Sequence, residues 1–264
     1  MVEIPVHPPG RLAQHLRVTT RCTKSGYDLE EELKAGKIAI RLTDEQSQSP
    51  LSLDGIWSTS MKNPASKQET KRYWERMRKE CTDPQEGFFL RWENIESMMR
   101  HVEGGFTDWN PDDHASEWIS LSVDFDWIIY QIAYRLFHRK RSYVIMSIIR
   151  LPDGDGHGSS LIVGNPVKAA SKKGGDFRDR RGYKFSRRFA ERLAYRRIPK
   201  SCIEQSMVFT AYHLPLTIPA KYLKDHGQSQ DTRWEDDLSF SPHITRFNAI
   251  KSQIRLRQRK LLKG

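Results

Sequence analysis

The clearest periodicity lies mid-chain. Residues 117–122 alternate Trp118, Ser120 and Ser122 against Ile119 and Leu121, the period of a strand with two unlike faces. Asp124 follows as an N-cap, and Phe125, Ile128, Ile129, Ile132 and Leu136 then recur at helical spacing, which predicts a helix over 125–138. Residues 142–151 are a near-continuous apolar run, a buried strand. Upstream, an irregular arm over 1–14, broken by Pro5, Pro8, Pro9 and Gly10, leads into a short first strand at 15–20. A short helix is predicted at 29–35, ended by Gly36, then a loop at 46–54 and two further helices at 65–80 and 88–101. Downstream, 184–197 predicts a basic amphipathic helix striped by Phe185, Phe189 and Leu193. Residues 203–213 are β-rich, and 245–262 predict a basic helix. The mixture lacks regular βαβ winding, so the expected class is α+β.

Length and composition fit this picture. The 264 residues suit one large domain, and 7 Trp, 9 Tyr and 11 Phe can fill its core. Three cysteines, Cys22, Cys81 and Cys202, are an odd and scattered number, which points away from a disulfide framework. No apolar run is long enough for a membrane span, and the N-terminus lacks the pattern of a secretory signal. An intracellular protein, cytoplasmic or nuclear, is expected.

Charge changes the picture more. The net charge is +11, but residues 171–200 hold 12 Lys/Arg against 3 Asp/Glu, and 246–264 hold 7 Lys/Arg and no acid. The remainder, with 25 basic and 30 acidic residues, is mildly acidic. Two basic segments on an acidic body suit contact with phosphates, of nucleic acid or of anionic lipid, or a merely solvated surface.

Most familiar chemistry is excluded. There is no Cys-x-x-Cys and no His-Glu-x-x-His, so no metal is expected. Asp153, Asp155 and His157 begin like a calcium loop, but Gly164 stands where its bidentate glutamate belongs. Walker A, Gly-x-Gly-x-x-Gly and Gly-x-Ser-x-Gly patterns are missing.

One ordered constellation remains: Arg17 in the first strand, Ser120 and Ser122 in the central strand, and Glu204 with Ser206 in the late strand, followed by Ile218-Pro219. This order resembles the Arg–Ser–Glu pattern of ADP-ribosyltransferases related to cholera-type toxins. It is also similar to a fungal family of uncharacterised domains with that fold. The resemblance implies a split mixed β-sheet with flanking helices over 15–224, a basic helical insertion at 171–200, and a linker with a basic C-terminal helix over 225–264. It further implies NAD as substrate and a protein acceptor. Arg17, with Arg21 as a second candidate, would hold the pyrophosphate through a planar, permanently charged fork. Ser120 and Ser122 would order the site, with Trp127 or Tyr130 as stacking candidates. Glu204 would stabilise an oxocarbenium-like sugar. In the family, the second glutamate of Glu-x-Glu is the usual catalytic one; here Ser206 stands in that place. That departure leaves two alternatives open: a binding protein of the same fold without turnover, and a nucleic-acid-associated protein acting through 171–200 and 246–264.

Overall fold

The computed structural model describes residues 18–19, 21–52, 55–62, 68, 72, 84–104, 116–152, 161–224 and 233–263. Strands β1 (Val18–Thr19), β2 (Ile38–Thr43), β3 (Leu51–Ser52), β4 (Gly55–Trp57), β5 (Trp118–Ser122), β6 (Val144–Arg150), β7 (Val163–Gly164), β8 (Glu191–Tyr195), β9 (Arg197–Pro199) and β10 (Ile203–Phe209) make two sheets. The larger runs β1-β10-β6-β2-β5-β8-β7, and the smaller β3-β4-β9. β1 pairs parallel with β10, while the other neighbours in the large sheet are antiparallel. Helices α1 (Gly26–Lys34), α2 (Pro84–Phe89), α3 (Trp92–Gly104), α4 (Phe125–Ala133), α5 (Pro166–Lys173), α6 (Arg181–Arg188) and α7 (Phe247–Leu261) flank it. The described chain is thus α+β with a mixed sheet and flanking helices. Among the described residues no helix is long and apolar enough to cross a membrane.

Alternation along the strands sorts side chains into three cores. Ile38 and Ile40 of β2, Met146 and Ile148 of β6, and Met207 and Phe209 of β10 face α1, α4 and α7. Trp118 of β5 with Leu193 and Tyr195 of β8 face α2, α3 and α5. The intervening residues Ala39, Ile119, Leu121, Ile149 and Ala194 point the other way, onto Leu51, Ile56 and Ile198 of the small sheet. Trp118 is fully buried against Phe88, Phe89 and Tyr195, and its truncation to alanine should cost about 3–5 kcal/mol.

Local signals explain most elements. Ser25 accepts from Asp28 N while Asp28 accepts from Ser25 N, a capping box that starts α1 earlier than the spacing of its apolar residues suggests. Asp124 accepts from Trp127 N and caps α4 as expected. Beyond Ala133 the helix widens into a π turn over Tyr134–His138.

Three expectations need correction. Residues 38–43 carry no predicted strand, yet β2 lies near the middle of the sheet; its six residues become recognisable only through pairing with β6. Residues 184–197 are not one helix: α6 ends at Arg188, and Ala190, at φ +47°, takes a left-handed conformation that no right-handed helix contains. The rest of that segment is β8 and β9, so 171–200 contributes to both sheets rather than forming an insertion. Finally, α7 is not a detached tail, since Phe247, Ile250 and Ile254 are buried in the core over α4. The arm 1–14, Arg17 and nearly all of the helix expected at 65–80 lie outside the described residues.

Candidate functional site

The large sheet is weakest between β2 and β5. Ile40 and Ser122 are the single paired position there, whereas β2 pairs with β6 over six positions and β5 with β8 over five. Past that position the two strands part, and Arg41 bridges the gap, donating from Nη1 to the carbonyl oxygen of Ser120 at 2.9 Å. A side chain thereby supplies a hydrogen bond that a continuous ladder would have made from the backbone. The seam holds a cavity of about 90 Å³ lined by Arg41, Ser120, Ser122 and Glu191 on the sheet side and by Trp127, Arg135, Phe185 and Phe189 from the flanking elements.

Polar groups converge on this seam. His101 of α3 places Nε2 3.0 Å from Ser120 Oγ and Nδ1 2.7 Å from Ser116 Oγ. Glu191, the first residue of β8, accepts from Ser186 Oγ at 2.9 Å, and Ser120 lies beside it in the seam. One nitrogen of the neutral His101 ring donates and the other accepts, so the imidazole links Ser116 to Ser120. Ser116 Oγ in turn accepts from Trp118 N at 3.1 Å. The result is a chain from Ser116 through His101 to Ser120, with Glu191 and Ser186 forming a second pair in the same seam.

Burial tunes the members in opposite senses. It pushes the Glu191 carboxyl up to about 7, against the Ser120 and Ser186 hydroxyls and the charge of Arg41. It holds His101 down to about 4, with Arg41 acting in the same direction, so the imidazole is neutral. Arg41 itself falls to about 10 through burial, reinforced by nearby Arg135, and still carries its charge at neutral pH. Its Nε is shielded from solvent and has no hydrogen-bond partner among the described residues. A buried donor left without an acceptor costs about 1–3 kcal/mol, which is retained readily where a ligand supplies the acceptor. Ala190, in its left-handed conformation, directly precedes Glu191 and turns the chain from α6 into β8.

The residues singled out from sequence separate into two places. Ser120 lies in the seam. Ser122 lines it too, but its hydroxyl donates to Phe189 O at 3.3 Å and accepts from Asp124 N, tying β5 to α4 and to the α6–β8 turn. Glu204 and Ser206 are on β10, beyond β6 and β2 from β5, so they do not meet Ser120. Ser206 hydrogen-bonds Ser147 Oγ at 2.8 Å, and both point to the sheet face opposite Ser120. Glu204 is bound by Lys24 Nζ at 2.9 Å and Arg150 Nε at 2.7 Å. Burial alone would raise its pKa, but these two cations outweigh it and hold the carboxyl below the usual range. With Ser206 it borders a separate cavity of about 450 Å³, alongside Ser52, Lys200 and Ser201. Arg21 is exposed; its carbonyl accepts from Gln205 Nε2. Trp127 faces the seam, whereas Tyr130 donates to Ile244 O and packs on Phe247.

Arg41, His101 and Glu191 were not singled out from sequence. One signal was available for Glu191: a strand and then Ile198-Pro199 follow it, as Ile218-Pro219 follows Glu204. Nothing local marks Arg41 or His101. No protein-family model matches the chain, and no curated protein matches it. Among the described residues no group of His, Cys, Asp and Glu is arranged to hold a metal ion.

Proposed function

We propose that this is an ADP-ribosyltransferase-like protein acting on NAD at the β2–β5 seam, with Arg41, Ser120 and Glu191 as its arginine, serine and glutamate. One observation carries the reading: those three residue types, in the chain order that the resemblance requires, meet where the sheet splits. NAD supplies the ADP-ribosyl group and nicotinamide as the leaving group. The residues suit such a ligand, because among the described residues Arg41 Nε is a buried donor lacking an acceptor and Glu191 is a buried carboxyl lacking a contact cation. The cavity of about 90 Å³ encloses only a fragment of a dinucleotide, being well below the roughly 300–1,000 Å³ of sites that enclose whole ligands.

Each residue has a distinct task. Glu191 stabilises developing positive charge on a sugar only when ionised, and approach of that charge drives the carboxyl toward ionisation. Ser186 holds one of its oxygens in place. Arg41 orients acceptor oxygens with a rigid fork. Trp127, Phe185 and Phe189 exclude water from the seam and offer ring faces.

Nicotinamide release from NAD, with and without added polypeptide acceptor, tests the proposal. Turnover that is lost in Glu191→Gln and kept in Glu204→Gln supports it. The reverse pattern moves the reaction centre to β10. A second reading, a binding protein of this fold without turnover, is favoured by the missing second glutamate: Leu193 stands two residues after Glu191, as Ser206 does after Glu204. Calorimetric NAD binding without nicotinamide release would support that reading, and no binding at all removes both.

A further inference from the structure

The two basic segments, separated by some forty-five residues of sequence, touch in the fold. In the first, Arg180 pairs with Glu96 and Glu103, and Arg196 with Glu117. Lys184, Arg187 and Arg188 are different. They are exposed at the end of α6 and form no ion pair among the described residues. The Arg188 guanidinium lies 5.3 Å from the ring of Phe189, and that ring lies 5.4 Å from Phe247, the first residue of α7. Arg246, immediately before it, is also exposed and without an ion pair. Neither helix contains an acidic residue. One turn into α7, Lys251 is neutralised by Asp124 at 2.8 Å, which leaves four uncompensated cations at the junction.

From this convergence we infer that the α6–α7 junction is a binding surface for single-stranded nucleic acid. Clustered unpaired cations repel one another, and a chain of phosphates relieves that repulsion while releasing counterions. Three of the four are arginines, whose forks match phosphate oxygens. The surface adjoins a recess to which the half-buried rings of Trp127 and Phe185 contribute, so a strand held along the cations passes ring faces, the combination that sequence-independent single-strand binders use. An anionic membrane is the weaker match. The junction's own rings Phe189 and Phe247 are buried, and the exposed leucines, Leu256, Leu261 and Leu262, sit at the far end of α7. The inference stands independently of NAD chemistry.

Fluorescence anisotropy of the full chain with labelled poly-uridine tests it. Four phosphate contacts predict that log affinity falls with log salt at a slope of roughly −3. The triple variant Arg187→Glu, Arg188→Glu, Arg246→Glu should bind at least tenfold more weakly, with the slope reduced by about 2. Arg259→Glu with Lys260→Glu and Lys263→Glu, at the other end of α7, should stay within a few fold. All six positions are exposed, so melting temperature serves as the folding control. Absent binding, loss confined to the far-end variant, or binding to phosphatidylserine vesicles in place of the oligonucleotide each overturns the inference.

Discussion

Glu191 and Glu204 are the same residue in opposite circumstances. Glu191 opens β8, is almost fully buried, and accepts from the Ser186 hydroxyl rather than from a cation, so its carboxyl is lifted to about 7. Glu204 lies next to the parallel edge strand and is clamped by Lys24 and Arg150, so its carboxyl is held below the usual range. The first is poised to change charge near neutral pH. The second is a fixed anion whose capacity is already taken up by partners. Environment rather than residue type separates a candidate reactive carboxyl from a structural one.

The largest expected effect is on turnover. Glu191→Gln should reduce nicotinamide release by ~100-fold or more, the scale of losing one electrostatic stabiliser. Glu204→Gln should leave it nearly unchanged. Equal losses in the two variants erase the distinction between the carboxyls.

A smaller but cleaner effect concerns stability against pH. Glu191 is raised from 4.5 to about 7, so the native state holds its proton more tightly; this contribution is complete below 4.5 and is lost as pH rises to 7. His101 is lowered from 6.5 to about 4, so its contribution is present above 6.5 and is lost as pH falls to 4. Each is worth on the order of 3 kcal/mol, and across the window they share the slopes oppose. Denaturant unfolding from pH 4 to 7 should therefore show little net slope from this pair in the parent. In Glu191→Gln stability should rise with pH, and in His101→Gln it should fall. The same slope in both variants would break the assignment of burial to both groups.

Arg41→Gln removes the cation nearest the pair and should move the Glu191 titration further upward, as read from the pH profile of nicotinamide release or of a carboxyl infrared band. An unmoved titration would mean that Arg41 acts only as the bridge to the Ser120 carbonyl. The smallest effect belongs to Glu204→Gln, which should cost less than about 1 kcal/mol because Arg150 is largely exposed. That loss should appear at neutral pH and vanish in acid, since a depressed carboxyl contributes above its unfolded pKa and loses the contribution as it protonates.

The amino-acid sequence by itself determined the elements whose signals are local. The alternation of residues 117–122, the Asp124 cap, the apolar run that became β6 and the stripe of α7 are all readable because period and capping act over a few residues. It also placed Ser120 and Ser122 on one strand face. Tertiary structure decided which glutamate they meet. Glu191 and Glu204 both stand at the start of strands with an Ile-Pro downstream, and only the order β10-β6-β2-β5-β8 sets the first beside Ser120 and the second three strands away. It likewise decided that β2 is a strand at all, that Arg41 fills the seam, and that two distant basic segments share one surface. A strand's own pattern does not say which distant strand it pairs with, so none of these could be read before the chain was folded.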